Sequence, residues 1–168
     1  MNIIEGKLNT DVNAKYAIIV SRFNEFITEK LLDGCLQTLI NNGVEGKLID
    51  IVKVPGTFEI PTVAKNLLDL KKYDAIICLG CVIRGETSHY DHICNAVSTE
   101  LNYLGVLTGV PVIFGILTCE NVGQAMDRVG GSRGNKGSES ALAAIEMVSV
   151  LAQTKVSTSI NQCMPSLS

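Results

Sequence analysis

Residues 74–97 read DAIICLGCVIRGETSHYDHICNAV, and this stretch decides the fold. Its first part, residues 74–79, is short and continuously apolar after Asp74, which predicts a strand in the middle of a parallel sheet. A glycine-bearing loop follows, and Ser88 and Asp91 have the spacing of a capping box at the start of a helix. The buried stripe of that helix is predicted to consist of Ile93, Val97, Leu101 and Leu104. The stretch is therefore a strand–loop–helix unit.

The same unit recurs along the rest of the chain. Further strands are predicted over residues 16–20, about 47–54 and 110–117, and further helices over about 24–42, from after Gly56 to about 70, over 122–127 and over about 136–152. Strands that alternate with helices imply parallel strands joined by right-handed crossovers. We therefore predict an α/β fold, a flavodoxin-like three-layer sandwich with a four-stranded parallel sheet and helices on both faces.

Three details refine this layout. The inner face of the first helix is predicted to carry Phe26, Leu31, Cys35 and Leu39. Gly43 follows Asn41-Asn42 and suits a left-handed C-cap. Residues 47–54 alternate between apolar and polar side chains, which favours an edge or half-exposed strand.

Composition limits the class of protein. The chain has 168 residues, of which 46% are hydrophobic and 18% are charged, so it can bury the core of one domain without disulfides. We predict that this domain spans residues 1–153. The Ser-, Thr- and Asn-rich residues 154–168 are expected to form a flexible tail.

Charge and hydropathy exclude several partners. A net charge of −3 argues against general binding to nucleic acid, which needs a basic surface. No uninterrupted apolar run reaches the roughly 18 residues of a membrane span. The opening residues, MNIIEGKLNT, have neither the basic nor the apolar part of a secretory signal. We therefore expect a cytoplasmic protein that binds neither nucleic acid nor membranes.

Six cysteines are scattered through apolar segments: Cys35, Cys78, Cys81, Cys94, Cys119 and Cys163. In a reducing compartment they are expected to act as small buried hydrophobic residues. Cys78 and Cys81 with His89 and His92 are of the residue types that bind zinc. However, three residues along a strand place the two thiols on opposite faces of the sheet, so we predict no metal site.

The residues that follow the predicted strands are polar, charged or glycine. They are residues 21–24 (SRFN), 54–59 (VPGTFE), 80–89 (GCVIRGETSH) and 118–121 (TCEN). In parallel sheets ligands bind beyond the carboxyl ends of the strands, where the strand order reverses. This edge is the predicted site.

The turn before the predicted helix at 88 has two interpretations. Backbone amides of Glu86 and Thr87 at a helix N-terminus suit an anion such as phosphate, although an ordinary strand-to-helix turn has the same pattern. His89 belongs to the side-chain type that exchanges protons near neutral pH, but it could equally be an exposed or capping residue. We expect His92, three residues later, to lie deeper in the packing and to be structural.

Residues 128–137, RVGGSRGNKG, form a glycine-rich linker with three cations in an acidic chain. It is either a solvated loop or a source of fixed positive charge for a phosphate in a cleft. Phe23 directly follows a strand in a polar context, which suits a ring that stacks on a planar heterocycle. Phe26 is expected in the core, whereas a core position and a ligand contact are both open for Phe58 and Phe114.

In combination, four motifs resemble the 6,7-dimethyl-8-ribityllumazine synthase family over about residues 1–153: residues 21–24, 54–61 (VPGTFEIP), 80–89 and 134–137 (GNKG). The resemblance implies a transferase of riboflavin biosynthesis. Its substrates would be 5-amino-6-(D-ribitylamino)uracil and 3,4-dihydroxy-2-butanone 4-phosphate. Its products would be the lumazine, phosphate and water, with no metal or other cofactor.

The resemblance also implies residue roles. Phe23 would stack on the pyrimidine, and Thr57, Phe58 and Glu59 would hold the uracil and the ribityl chain. The remaining ring contacts would come from the backbone of Cys81, Val82 and Ile83.

For the second substrate, the amides of Glu86 and Thr87 together with Arg128 would hold the phosphate. His89 would shuttle protons as the catalytic residue. The site would be completed by Phe114 and Lys136.

Members of this family assemble as pentamers with sites between adjacent subunits, or as icosahedral shells of 60 subunits. We therefore expect a homopentamer in which a neighbouring subunit supplies Phe114, Arg128 and Lys136. The linker before the last helix lacks the insertion of pentamer-only members, which favours the shell, and riboflavin synthase is a candidate associate. The alternative functions are a non-catalytic flavin-precursor binding module of the same fold and a scaffold protein.

Overall fold

The computed structural model describes residues 1, 3–8 and 13–162, the side chains of residues 156–162 excepted. Four parallel strands form the central sheet: β1 (Tyr16–Ser21), β2 (Ile49–Val54), β3 (Ala75–Ile83) and β4 (Val112–Cys119). Their order in the sheet is β2-β1-β3-β4. The predicted α/β sandwich with a four-stranded parallel sheet is confirmed, and β2 lies at an edge as its alternation predicts. The strand order reverses between β1 and β3, where a ligand is expected.

Helices cover both faces of the sheet. They are α1 (Glu25–Asn41), α2 (Ile60–Asp69), α3 (His89–Thr108), α4 (Val122–Met126) and α5 (Lys136–Gln162). Alternate residues of the strands point to opposite faces, so Ile18 and Ile77 pack in the core beneath α1 and α5. Ile19 and Cys78 pack in the core beneath α2 and α3. The central strands are therefore buried on both sides and read as continuous apolar runs.

Strands β3 and β4 both lie further towards the C-terminus than predicted. β3 does not stop at residue 79 but continues to Ile83, because Gly80 to Ile83 stay in register with Ile116 to Cys119 of β4. β4 begins at Val112 rather than at residue 110, since Pro111 has no N–H group to donate to the sheet. The loop that follows β3 is consequently shorter than the sequence indicates.

Helix α1 confirms one local prediction and corrects another. Gly43 follows the helix with a φ of 89°, the left-handed conformation predicted for it. Leu31, Cys35 and Leu39 are buried, but Phe26 is 56% exposed, so its expected place in the core is wrong. The buried face begins one residue later, at Ile27, which turns the ring of Phe26 outward.

The glycine-rich linker is not an irregular loop. It folds as a short antiparallel ribbon of β5 (Val129–Gly131) and β6 (Gly134–Asn135). Asn135 joins the ribbon to α1, because its Nδ2 donates to the carbonyl of Lys30 at 3.0 Å while its Oδ1 accepts from the N–H of Gly137 at 2.8 Å. A Cβ on Gly137 would overlap the carbonyl oxygen of Leu31, so α1 and α5 cross in backbone contact.

Helix α5 continues to Gln162, although the sequence predicted an end at about residue 152 and a loose tail beyond it. Residues 153–162 contain no glycine or proline to stop a helix. The flexibility predicted for residues 154–168 stays a prediction. Cys163, which is predicted to be buried, lies outside the described part of the chain, as do the other residues of 163–168. Within the described residues, the helices are too short or too polar to cross a membrane.

Candidate active site

A cavity of about 750 Å³ opens at the carboxyl ends of β1, β2 and β3. This is the edge that the strand order predicts. Among the residues predicted for the site, its walls include Phe23, Thr57, Phe58, Glu59, Cys81, Val82, Ile83, Thr87 and His89. Three segments that are distant in the sequence therefore meet around one space, large enough for a bicyclic ligand.

Two phenylalanine rings form an exposed aromatic wall. Phe23 is 69% exposed and Phe58 is 57% exposed, although apolar rings are usually buried. The N–H of Phe23 donates to the carbonyl of Pro55 at 3.0 Å, which extends the β1–β2 pairing beyond the strands. Asn24 then turns the chain into α1 at a φ of 60°, and its Nδ2 donates to the carbonyl of Cys81 at 3.0 Å. The ring of Phe23 thus stands on a backbone fixed to both neighbouring strands.

The turn after β2 packs against β3. Thr57, Phe58 and Glu59 form a 3₁₀ turn, in which Thr57 is only 6% exposed. Gly80 permits this approach, since a Cβ there would lie 2.8 Å from Thr57 Oγ1. The carboxylate of the exposed Glu59 is available to accept hydrogen bonds from hydroxyl groups.

The thiols beside the cavity are neutral. Burial, together with the nearby Cys119, raises the pKa of Cys81 to about 12, and burial also raises the pKa of Cys78. A thiol with so high a pKa is a poor nucleophile and a poor metal ligand at neutral pH. Cys78 and Cys81 lie in the cores on opposite faces of the sheet, as predicted. Within the described part of the chain, no three His, Cys, Asp or Glu side chains stand close enough to hold a metal ion.

Helix α3 begins at His89, so Glu86 and Thr87 lie in the turn before it rather than within its first turn. The N–H of His89 is 3.4 Å from Thr87 Oγ1, and His89 is exposed at the cavity wall. The predicted capping box is wrong, because Ser88 makes no side-chain cap and the carboxylate of Asp91 is bound elsewhere.

Sequence reasoning missed three residues that line the cavity from α3: Tyr90, His92 and Ile93. The prediction that His92 lies deeper in the packing is wrong, since it is exposed at the cavity. Residues three apart on a helix share a side, so the spacing from His89 to His92 was the available signal. The cavity therefore holds both histidines of the chain.

The carboxylate of Asp91 is bound by Arg84, the residue that follows β3. Arg84 donates two hydrogen bonds to Asp91, at 2.8 and 3.0 Å, and its Nε lies 2.9 Å from a carboxylate oxygen of Glu120. Its guanidinium also stacks on the ring of Tyr90, 4.1 Å from the centroid. Hydrogen bonding to Arg84 lowers the pKa of Asp91, and the same bond raises the pKa of Arg84.

The predicted cations lie at a second cavity of about 260 Å³, beside the edge strand β4. Its walls include Thr118, Cys119, Arg128, Arg133, Lys136 and Glu139. Arg128 donates from Nη1 to the carbonyl of Gln124 at 2.7 Å, and Lys136 is paired with Glu139 at 3.1 Å. Three cations and one carboxylate leave this cavity positively charged.

One chain therefore does not bring all predicted site residues together. Arg128 and Lys136 line the second cavity, whereas His89 lines the first. Phe114 lies on β4, where it is 36% exposed, and Glu86 is exposed on the turn before α3, both outside the linings of these two cavities.

Comparison with known proteins agrees with this geometry. A family described as 6,7-dimethyl-8-ribityllumazine synthase matches residues 13–152, a range that contains both cavities. A protein named 6,7-dimethyl-8-ribityllumazine synthase from Desulfotalea psychrophila (strain LSv54 / DSM 12343) is 53% identical over 150 residues, which cover 89% of this chain and 96% of that protein. The family match over residues 13–152 and the 53% identity show that the chain belongs to the 6,7-dimethyl-8-ribityllumazine synthase family.

Proposed function

We propose that this protein condenses 5-amino-6-(D-ribitylamino)uracil with 3,4-dihydroxy-2-butanone 4-phosphate. The products are 6,7-dimethyl-8-ribityllumazine, phosphate and water, and the reaction is a step of riboflavin biosynthesis. The observation that carries this proposal is the cavity at the β1–β3 edge, where exposed aromatic rings and His89 meet in a chain of this family.

The pyrimidine occupies the aromatic wall. Phe23 stacks on its ring, because an exposed ring on a fixed backbone offers a flat apolar face. Thr57, Phe58 and Glu59 hold the uracil and the ribityl chain, whose hydroxyl groups suit the carboxylate of Glu59. The backbone contacts are made by Cys81, Val82 and Ile83.

The chemistry is addition, elimination and proton transfer. The pyrimidine amine attacks the ketone, an imine forms with loss of one water, phosphate leaves, and the second amine closes the ring with loss of a second water. None of these steps needs a metal or a redox cofactor. Holding both substrates together supplies much of the acceleration, because the amine is already a good nucleophile. His89 exchanges protons with the carbinolamine and the leaving groups.

The phosphate is bound between two subunits. Amides of Glu86 and Thr87 approach it from the turn before α3, and Arg128 of a neighbouring subunit supplies positive charge, with Phe114 and Lys136 completing the site. What supports this arrangement is that the two cavities, one at the β1–β3 ends and one beside the edge strand β4, have no lining residue in common. Joining them requires the second cavity of one copy to face the first cavity of another.

A closed ring of subunits meets this requirement at every interface. We propose a cytoplasmic homopentamer, which can assemble further into a shell of 60 subunits and associate with riboflavin synthase. A head-to-tail contact of this kind closes into a ring with one complete site per interface.

The direct test mixes the purified protein with both substrates and follows the absorbance and fluorescence of the lumazine. The expected result is a rate well above that of the uncatalysed condensation. A protein that binds the pyrimidine but adds nothing to that rate would instead be the non-catalytic binding module. The exposed variant Lys65→Ala, which removes only an ion pair with Asp69 on α2, is the matched control and should react like the parent.

A further inference from the structure

We propose that Arg84 is a positioning residue that holds the turn 85–88 and the first turn of α3 in their reactive geometry. This inference rests on the proposed function. Arg84 lies outside the lining of the main cavity, so it acts through the residues that it holds rather than on the substrate.

Arg84 joins three segments of the chain. Its N–H donates to the carbonyl of Cys119 at 2.9 Å, the last backbone bond between β3 and β4. From that fixed point its guanidinium reaches Asp91 in the first turn of α3 and Glu120 after β4. Because a guanidinium is planar and rigid, binding two carboxylates at once fixes the direction of each.

The turn between these anchors carries the reactive groups. Gly85 and Thr87 line the cavity, and His89 follows directly. A Cβ added at Gly85 would have no neighbour within 4 Å, so packing does little to support the turn at that point. The bridge from Arg84 to Asp91 spans seven residues and closes the turn at both ends.

The same guanidinium also orients one wall of the cavity. Its plane lies over the ring of Tyr90, which is half-buried and lines the cavity next to His89. Arg84 therefore fixes the orientation of α3 through Asp91 and the orientation of an adjacent wall residue through stacking. The positions of the turn 85–88, the first turn of α3 and the ring of Tyr90 therefore all depend on the side chain of Arg84.

A purely structural ion pair would behave differently. Arg84 holds two carboxylates and a ring in one network, so Arg84→Ala should lower the unfolding temperature modestly and still be folded at the assay temperature, and a purely structural network would have no further effect. Its kinetic effect should be larger, since misplacing reactive groups by about 1 Å costs on the order of 10²-fold in rate. We expect Arg84→Ala to lower kcat by roughly 10- to 100-fold and to raise the KM for the phosphate substrate. The KM for the pyrimidine should stay within about twofold, because Phe23 and Phe58 do not depend on the turn.

Two further variants sharpen the test. Arg84→Lys keeps the charge but lacks the planar fork, so it should restore only part of the lost kcat. Asp91→Asn removes one anchor and should show the same kinetic pattern in weaker form. Lys65→Ala breaks an exposed pair of similar length, 2.6 Å, and should leave all parameters unchanged.

Amide hydrogen exchange gives a readout that does not depend on activity. Residues 85–91 should exchange faster in Arg84→Ala than in the parent, while Lys65→Ala should not change. Parental kinetics together with parental exchange in Arg84→Ala would overturn the proposal, and so would full recovery of kcat in Arg84→Lys. If the parent makes no lumazine but exchange still rises in Arg84→Ala, the proposed function fails while the positioning role of Arg84 stands.

Discussion

Thr57 packs so closely on Gly80 that no residue with a Cβ fits at position 80, because that Cβ would lie 2.8 Å from Thr57 Oγ1. The glycine on β3 thus sets the height of the 3₁₀ turn above the sheet. Since that turn presents Phe58 and Glu59 to the cavity, the shape of the candidate pyrimidine site depends on a missing methyl group.

Gly80→Ala should therefore displace the turn and weaken pyrimidine binding. Overpacking of this kind costs about 1–3 kcal/mol, divided between lost stability and a raised KM for the pyrimidine. Thermal unfolding and steady-state kinetics together measure both parts. The matched control is Gly46→Ala, because a Cβ at Gly46 meets open space. Parental stability and parental KM in Gly80→Ala would show that the turn adjusts without cost.

His89→Ala should slow turnover while leaving pyrimidine binding intact. A general acid–base group contributes at least about 10²-fold in most enzymes, and the reactive amine of this substrate places the expected loss at that low end. Stopped-flow formation of the lumazine measures the rate, and direct titration with the pyrimidine measures its affinity. An unchanged rate in His89→Ala would rule out the proton-transfer role, whatever the family of the protein.

Arg128→Ala should chiefly raise the KM for the phosphate substrate. A hydrogen bond to a charged group is worth about 1.5–3 kcal/mol, which corresponds to a KM roughly 10- to 100-fold higher. Arg133→Ala serves as the comparison, because Arg133 lines the same cavity but is exposed, whereas Arg128 is half-buried and held by Gln124. Equal effects in the two variants would indicate general attraction by charge rather than a specific contact.

Co-expression of His89→Ala with Arg128→Ala should restore activity if the site is shared between subunits. In a shared site, one subunit supplies His89 and its neighbour supplies Arg128. Each variant alone therefore lacks one of these two side chains in every site. In a mixed ring, about a quarter of the interfaces combine two intact halves, as expected for random head-to-tail assembly. The measurement compares the rate of the mixture with that of each variant alone. Activity no higher than that of the single variants would place both halves within one chain.

The layout of the fold was predictable because strand periodicity is a local property. Residues 75–79 are apolar on both faces, and such a run is typical of a strand that is covered on both sides. The edge position of β2 followed from its alternation in the same way. The ends of the elements were predicted less accurately. Strand β3 was predicted to end at residue 79, but it reaches Ile83 because β4 continues beside it.

The errors at the site arise from contacts between segments that are distant in the sequence. Ser88 and Asp91 have capping-box spacing, but Asp91 is bound by Arg84 from the end of β3. Phe26 is a different case: it lies five residues before Leu31, whereas Ile27 lies four residues before it and shares its helix face. Spacing alone therefore indicated Ile27 rather than Phe26 for the core, but it could not reveal the bond from Arg84 to Asp91.

Asn135 holds the β5–β6 ribbon against α1 through its side-chain hydrogen bonds, and this lowers the entropy that the ribbon can lose on assembly. Because Asn135 ties the ribbon to α1 and Gly137 presses α5 against Leu31, the chain segments that carry Arg128 and Lys136 are already ordered in the single subunit. A loop that must be ordered on contact loses conformational entropy at that moment and weakens association. Here that entropy is lost during folding, so a subunit brings this cationic cavity to an assembly in preorganised form.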